Sequence, residues 1–325
     1  MKKLNKKILV TGVSGFVGNA VALALLKTDK CVLAIFRKNP PRIFHETVNS
    51  GLLSYCAGDI NGRTQWGSIL EGAEIVIHCA GCSHFEPDDA NSIMGVCREV
   101  NVFGTLKLAQ EAAATGVRRF IFISSIKVNG ENTRPDHAFT EADAVAPQDA
   151  YAESKAEAEL GLMSLAKQTG MEVVIIRPPL VVGPGVRGNL AKMIKWIDLG
   201  LPLPLGAVNN RRSLVTLDNL VSFLLLCADR DNSPQAINQV FVIADGEDVS
   251  TSTLYRKVAK AAGRPSRLIP VPDQFLRIAA TLLGKKIIFN RLVGNLQVDA
   301  SKARALLGWQ PVLNLDEQLR IMFRT

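Results

Sequence analysis

No uninterrupted apolar run in these 325 residues approaches the length of a bilayer-crossing helix, so no membrane-spanning segment is expected. The basic start, Met1-Lys2-Lys3-Leu4-Asn5-Lys6-Lys7, leads directly into a strand pattern and lacks a signal-peptide cleavage region, which makes the cytoplasm the expected compartment. There is no internal repeat and no low-complexity linker. Lys and Arg nowhere cluster in alternation with aromatics, and no nucleic-acid-binding module is visible. The net charge of +8 therefore points to an anionic small molecule rather than to nucleic acid. Cysteine is sparse: six, at positions 31, 56, 79, 82, 97 and 227, mostly in apolar surroundings that suggest reduced, buried thiols. Cys79 and Cys82 form one CxxC with His78 and His84 alongside, but no second pair follows at finger-like spacing, and no metal is expected.

What is present is an ordinary globular composition, 47% hydrophobic and 21% charged, on a chain long enough for two lobes. Lys7 to Thr11 reads as a buried strand, followed by Gly12-Val13-Ser14-Gly15-Phe16-Val17-Gly18 and a helical run to Thr28. Strand, glycine turn and helix are the context of a dinucleotide fingerprint: glycines let backbone approach a pyrophosphate seated on the helix N-terminus. The spacing is GxxGxxG rather than GxGxxG. A second strand, Cys31 to Phe36, ends in Arg37-Lys38, where an NAD site usually carries a carboxylate for the ribose hydroxyls. A cation there can pair with a 2′-phosphate, which favours NADP(H) over NAD(H); a solvated basic loop is the competing reading.

Further strands are expected at Leu52 to Ala57 (ending in Gly58-Asp59-Ile60), Glu74 to Cys79 (leading to Ala80-Gly81), Arg119 to Ser124 and Glu172 to Arg177, which Pro178-Pro179 stops. A long helical stretch runs from about Asp88 to Thr115. This alternation specifies a doubly wound parallel sheet, and in such sheets ligands sit beyond the carboxyl ends of the strands. Gly12 to Gly18, Arg37, Asp59, Ala80, Ser125 and Pro178 all fall there. Tyr151 and Lys155, four apart on a predicted helix, share one face. A nearby ammonium favours the ionised phenol, so the pair can exchange a proton near neutral pH. Beyond Pro178 the chain becomes loop-rich. Phe275 to Val293, interrupted at Gly284-Lys285-Lys286, is an apolar stretch expected to pack inside a small second lobe.

TGVSGFVG (11–18), GDI (58–60), HCAG (78–81), NVFGT (101–105), FISSIKVNGE (122–131), YAESK (151–155), RPPLVVGPG (177–185), RRSLVTLDN (211–219) and VDASKARALLGW (298–309) occur in one order. Together they resemble the extended short-chain dehydrogenases/reductases, in particular the NAD(P)-dependent sugar epimerase/dehydratase group, over nearly the whole chain. The resemblance implies an α/β fold: a Rossmann-type doubly wound parallel sheet with a smaller mixed C-terminal substrate lobe. Residues 1–177 plus about 213–244 would form the dinucleotide-binding domain, and 178–212 plus about 245–325 the nucleotide-sugar lobe.

The resemblance implies Ser125, Tyr151 and Lys155 as catalytic residues, with Lys155 also on the nicotinamide ribose. Ser124 and Asn101 would line the nicotinamide end, Asp59-Ile60 the adenine end, and Cys79-Ala80-Gly81 the cofactor-hugging loop. Asn189, Leu190, Leu203, Leu205, Arg212 and Arg291 resemble residues that clasp a nucleotide-diphosphate sugar. Two departures, Val128-Asn129-Gly130 where UDP-galactose epimerases carry Val-Tyr-Gly, and Leu180 in place of asparagine, resemble instead a surface-polysaccharide subgroup acting at C4 of UDP-N-acetylhexosamines. The implied activity is hydride transfer at C4 of a UDP-hexose or UDP-N-acetylhexosamine, as 4-epimerase or 4-keto reductase, in a homodimer. The alternatives are an NADPH-dependent reductase of a non-sugar ketone and a non-catalytic NADP-sensing protein.

Overall fold

The computed structural model describes residues 7–28, 30–37, 41, 44–49, 53–82, 90–282, 284 and 286–324. Residues 1–6, Lys38, Leu52, His84, Asp88 and Lys285, named above, lie outside them. Six strands build most of the sheet; five are near-continuous apolar runs buried on both faces, as parallel strands covered by helices must be, and the third, at the sheet's edge, leaves Ser54 and Tyr55 exposed. The six are β1 (Lys7–Thr11), β2 (Cys31–Phe36), β3 (Leu53–Ala57), β4 (Ala73–His78), β5 (Arg119–Ile123) and β6 (Glu172–Arg177). With β9 (Gln239–Val242) they make a seven-stranded sheet of order β3-β2-β1-β4-β5-β6-β9, every neighbouring pair parallel. The order reverses between β1 and β4, which opens the crevice where such sheets bind ligands.

Two cores flank the sheet. On one face α1 (Phe16–Leu25) and α8 (Leu217–Ala228) bury Val21, Leu25, Leu220 and Phe223. On the other, α5 (Thr105–Ala114) and α6 (Ala150–Thr169) bury Leu108, Ala112, Ala158 and Leu162 with Trp66. The long helix expected before β5 is interrupted: α4 (Ala90–Arg98) passes through a π-helical turn, Glu99–Gly104, before α5. Gly104 sits there because a Cβ would lie 2.7 Å from Ile60 Cγ2 and 2.8 Å from Asn61 N. The short helices α2 (His45–Asn49) and α3 (Gly67–Leu70) complete this half.

The second lobe is a three-stranded sheet, β10-β8-β7, made of β7 (Leu180–Val182), β8 (Arg212–Thr216) and β10 (Asp248–Val249). It packs with α7 (Asn189–Asp198), α9 (Thr251–Ala261) and α13 (Leu315–Phe323) around Val182, Leu190, Met193, Leu214, Tyr255 and Leu319. The chain weaves between lobes more than the expected boundaries allow. β8 belongs to the small sheet, yet α8 directly after it packs on the large one. Ala303 of α12 (Ser301–Leu307) and Trp309 return to the core of the first lobe, where Trp309 meets Phe223 edge-on.

One expectation is not met. The stretch 275–293 divides into α10 (Asp273–Leu282) and α11 (Lys286–Val293), and α10 buries none of its residues. Phe275, Ile278 and Leu282 remain 63%, 56% and 83% exposed. The small lobe's core is already closed by α7, α9 and α13, so it offers this helix no apolar surface. Among the described residues no helix is long and apolar enough to cross a membrane.

His78, at the tip of β4, is fully buried between Phe120 and Phe122, with its ring nitrogens 2.7 Å from Thr11 Oγ1 and 2.9 Å from Thr105 Oγ1. Both nitrogens are therefore committed to hydroxyls. Burial above all, with help from the Lys155 ammonium, lowers its pKa to about 3. Below its ordinary value near 6.5 the unfolded chain takes a proton that the folded chain refuses, so stability falls as pH drops through the window from 6.5 to about 3. Between pH 7 and pH 5 this group alone should remove about 2 kcal/mol. Urea unfolding of the wild type and of His78→Gln at the two pH values measures the difference. An equal pH dependence in both proteins would contradict a neutral buried imidazole.

Candidate active site

The glycine turn is shaped first by backbone packing. Gly12 has φ +69° and lies so close to the loop after β4 that a Cβ would meet Ala80 N at 2.7 Å and Cys79 C at 2.8 Å. Gly18 faces Gly12 O, with a Cβ position 2.3 Å away. Gly15 is different: its φ is −92°, and the nearest atom to a Cβ there is Gly12 O at 3.0 Å. Gly15 caps α1 with no side chain, and no acidic residue occupies the first turn, so the amides of Phe16, Val17 and Gly18 meet no competing carboxylate. That is the end of a helix to which a phosphate is drawn.

The loop after β4 connects this turn to α6, the helix that carries Tyr151 and Lys155. Ala80 N donates to Thr11 Oγ1 (3.2 Å), and a Cβ on Gly81 would lie 3.2 Å from both Lys155 Nζ and Asn101 Oδ1. Asn101 is fully buried on the π-helical turn. It accepts from Cys82 N (2.8 Å) and donates to Cys82 O (3.1 Å) and Ser154 Oγ (2.9 Å). Its side chain thus pins the loop rather than facing the crevice with a free amide. Cys79 lies against the core, and burial, opposed by Lys155, pushes its thiol up to about 12.

Helix α6 starts at Asp149, whose carboxylate accepts from Ala152 N at 2.8 Å, and ends at Gly170 in the left-handed region. Tyr151 therefore sits in the first turn and Lys155 one turn later. Lys155 is 3% exposed, donates from Nζ to Ile123 O at 2.8 Å and lies 4.4 Å above the Phe122 ring. Burial lowers its pKa to about 8, against Glu159. Ser125, just past β5, has an extended backbone; its hydroxyl accepts from Lys127 N (3.2 Å) and lies near enough to Tyr151 to favour the ionised phenol. The expected ionisation of the phenol by Lys155 is not what dominates. Burial and then the Asp149 charge raise the Tyr151 pKa above its ordinary value, and the neighbouring Ser125 hydroxyl opposes them only in part. Without a further positive charge nearby, Tyr151 holds its proton. Ser124 Oγ is buried with no hydrogen-bond partner. An orphaned hydroxyl beside Ser125, an unshielded helix end and a glycine-lined loop fit a dinucleotide laid across the β1–β4 switch point.

The other expected site residues divide. Pro178 O accepts from Ile126 N (3.0 Å) and fixes the loop that carries Ser125. Asp59 is exposed, with its carbonyl accepting from Thr64 Oγ1 (2.5 Å); Ile60 packs against Gly104. Arg37 is exposed beyond the tip of β2, next to a buried Phe36. Asn189 is exposed at the start of α7, whereas Leu190, Leu203 and Leu205 turn inward, the first two into the small-lobe core. The Leu203 backbone pairs with Arg267 O (3.0 Å) and Ile269 N (2.9 Å). Arg212 donates to Arg291 O (2.9 Å) and Gly294 O (3.0 Å), supporting the end of α11. Arg291 grips both oxygens of Glu131 (2.9 and 2.6 Å) and reaches Asp149 (3.3 Å); Lys127 bridges the same two carboxylates at 3.0 and 2.6 Å. Burial opposes ionisation of Glu131 and Asp149, yet these cations hold both below the usual carboxylate range. Lys127, Glu131 and Asp149 were not singled out from sequence; their i,i+4 spacing and the N-cap position of Asp149 were the available signals.

Residues 8–244 match the model of the NAD dependent epimerase/dehydratase family. The chain is 43% identical over 318 residues, 97% of its own length and 94% of the relative's, to a UDP-glucose 4-epimerase of Vibrio cholerae. Its fold superposes with a TM-score of 0.78 on a UDP-glucuronic acid 4-epimerase from Bacillus cereus in complex with NAD, at 21% identity, covering 98% of this chain and 97% of that one. The score is 0.74, at 22% identity and with coverage of 98% and 97%, for a UDP-glucose 4-epimerase from Thermotoga maritima with UDP-glucose.

The two glycines separate packing from ligand approach. Gly12→Ala must lose thermal stability, because a Cβ at φ +69° collides with backbone at 2.7–2.8 Å. Gly15→Ala should melt within a few degrees of the wild type yet weaken NADH binding, followed by fluorescence titration, by on the order of tenfold. Unchanged affinity in Gly15→Ala would remove the pyrophosphate from this helix end.

Proposed function

Because the chain belongs to the NAD dependent epimerase/dehydratase family, we propose that it is a nucleotide-sugar 4-epimerase acting on a UDP-hexose or UDP-N-acetylhexosamine. The observation that carries this reading is the grouping of Ser125 and Tyr151 with a buried Lys155, which only Gly81 and Ala80 separate from the glycine turn. The bound dinucleotide supplies a hydride acceptor at nicotinamide C4 and, when oxidised, a positive charge. Tyr151, ionised beside that charge, would take the proton of the sugar C4 hydroxyl as the hydrogen on C4 itself departs as hydride, and would return the proton when the opposite face is reduced. Ser125, donating to the reacting oxygen, holds it within reach of the phenol. Lys155, fixed by Ile123 O, orients the ribose and adds positive charge on the far side of the loop. The diphosphate is assigned to Arg212 and Arg291, whose planar guanidiniums suit it. Membership of a surface-polysaccharide route is inferred from the SSIKVNGE block and the Asn129 and Leu180 departures.

Arg37 supports NADP(H) as a cofactor alongside NAD(H), since no carboxylate follows Phe36 at the tip of β2. The exposed Leu160 (73%) on α6 and Phe103 (49%) on the π-helical turn support a second copy of the chain across α5 and α6.

With UDP-glucose or UDP-N-acetylglucosamine, the purified enzyme should invert C4 without net consumption of dinucleotide. Tyr151→Phe should lower turnover by roughly 10³-fold while NADH fluorescence titrates as in the wild type. Stoichiometric loss of NADPH with a 4-keto sugar would make it a reductase instead, and a fully active Tyr151→Phe would remove the phenol from the mechanism. Arg37→Glu should raise KM for NADP on the order of tenfold and leave KM for NAD nearly unchanged; an equal effect on both would leave Arg37 a solvated loop cation.

A further inference from the structure

Among six free cysteines, two that are distant in sequence are brought together beside the catalytic helix. Cys97, buried on α4, directs its Sγ at Cys82 Sγ, 3.7 Å away, on the loop after β4. Cys82 is half-exposed. Its backbone N–H and carbonyl are both held by Asn101, which also donates to Ser154 Oγ (2.9 Å), and Ser154 in turn donates to Tyr151 O (2.7 Å). Gly81, the residue before it, leaves room for no more than a hydrogen against Lys155 Nζ and Asn101 Oδ1. The thiol pair thus joins the loop that lies against Lys155 to α4, beside the helix that carries Tyr151.

We propose that Cys82 and Cys97 form an oxidisable dithiol site whose closure to a disulfide, by exchange with a low-molecular-weight disulfide, shuts off the catalytic centre. A disulfide requires the sulfurs to approach to about 2.05 Å, about 1.7 Å closer than they stand, which ties the Cys82 loop covalently to α4. Cys82 attacks as thiolate, because it is the accessible member. One sulfur of oxidised glutathione becomes bonded to Cys82 while the other leaves as glutathione thiolate, which takes up a proton. Cys97, whose thiol burial and the Cys82 contact push up to about 12, is the resolving partner. It releases its proton to water and attacks the Cys82 sulfur, expelling the second glutathione, which is protonated in turn. Two protein thiols are oxidised and one glutathione disulfide is reduced to two thiols. The new bond pulls on Asn101 and displaces Gly81 against Lys155, so hydride transfer geometry is lost until a dithiol reductant reopens it.

The whole chain is equilibrated with oxidised glutathione, quenched with acid, alkylated and mapped by mass spectrometry. The expected result is a Cys82–Cys97 cross-linked peptide, two fewer titratable thiols than the six of the reduced protein, and at least tenfold lower epimerase turnover, restored by dithiothreitol. Cys97→Ser and Cys82→Ser should each form no intramolecular bond, and dithiothreitol should restore whatever turnover a mixed disulfide removes without any cross-linked species appearing. The activity readout rests on the epimerase reading, whereas the peptide map and an NADH titration of the oxidised protein do not. A map in which Cys82 and Cys97 stay reduced, or pair with other cysteines, overturns the proposal. So does a quantitative Cys82–Cys97 bond that leaves NADH affinity and turnover unchanged.

Discussion

The arrangement depends on one buried ion pair. Arg177, the last residue of β6, holds Glu159 of α6 through Nε (3.0 and 3.2 Å) and Nη2 (2.5 Å), and its Nη1 donates to Asn129 Oδ1 (3.0 Å). Both side chains are almost wholly excluded from water. Removing either partner would strand a buried charge, a loss of roughly 3–5 kcal/mol. Glu159 lies one turn beyond Lys155 and two beyond Tyr151, so the pair sets the rotation and height of α6 against the sheet. Through Asn129 the same guanidinium reaches the loop after β5, which carries Ser125. One cation therefore positions all three residues of the proposed proton relay.

Electrostatics then decides what the relay does at rest. Burial pulls Lys155 down to about 8 and pushes the Tyr151 phenol up, so the lysine carries less charge and the tyrosine keeps its proton more firmly than spacing alone suggests. Asp149 adds to this, because the carboxylate that caps α6 is also the nearest strong negative charge to the phenol. The cap that stabilises the helix thus opposes ionisation of the phenol it carries. A positive charge entering beside the phenol counters both, which ties proton removal to occupancy of the crevice.

Much of this was legible in the sequence because it is local. Apolar runs with glycine turns identify β1, β2 and β6 to the residue, and Tyr151–Lys155 needs only helical periodicity. The π-helical turn was not legible, since it arises where Gly104 must admit Ile60 from a distant loop. Nor was the inward rotation of Leu190 and Leu203, which depends on α9 and α13 filling the small lobe from far along the chain. Asn129 illustrates the difference. By resemblance it marks a departure from the Val-Tyr-Gly of UDP-galactose epimerases; in the folded chain it is buried, accepts from Arg177 and donates toward Thr140 O (3.4 Å) and Asp143 O (3.3 Å). The exposure of α10 was likewise hidden, because hydropathy reports what a helix could bury and not whether a surface is left to receive it.

The two lobes meet through charge as well as through packing. Ile126 of the first lobe touches Leu296 of the second in a small apolar cluster, and beside it Arg291 spans from α11 to Glu131 and Asp149. Three cations, Lys127, Arg212 and Arg291, surround two carboxylates there, so the cluster keeps a net positive charge. On the proposed assignment of the diphosphate to Arg291, a bound substrate would compete with Glu131 and Asp149 for that guanidinium. Each hydrogen bond it took from Asp149 would free the carboxylate that caps α6 and raises the phenol. Substrate charge and the basicity of Tyr151 would then be coupled through one side chain.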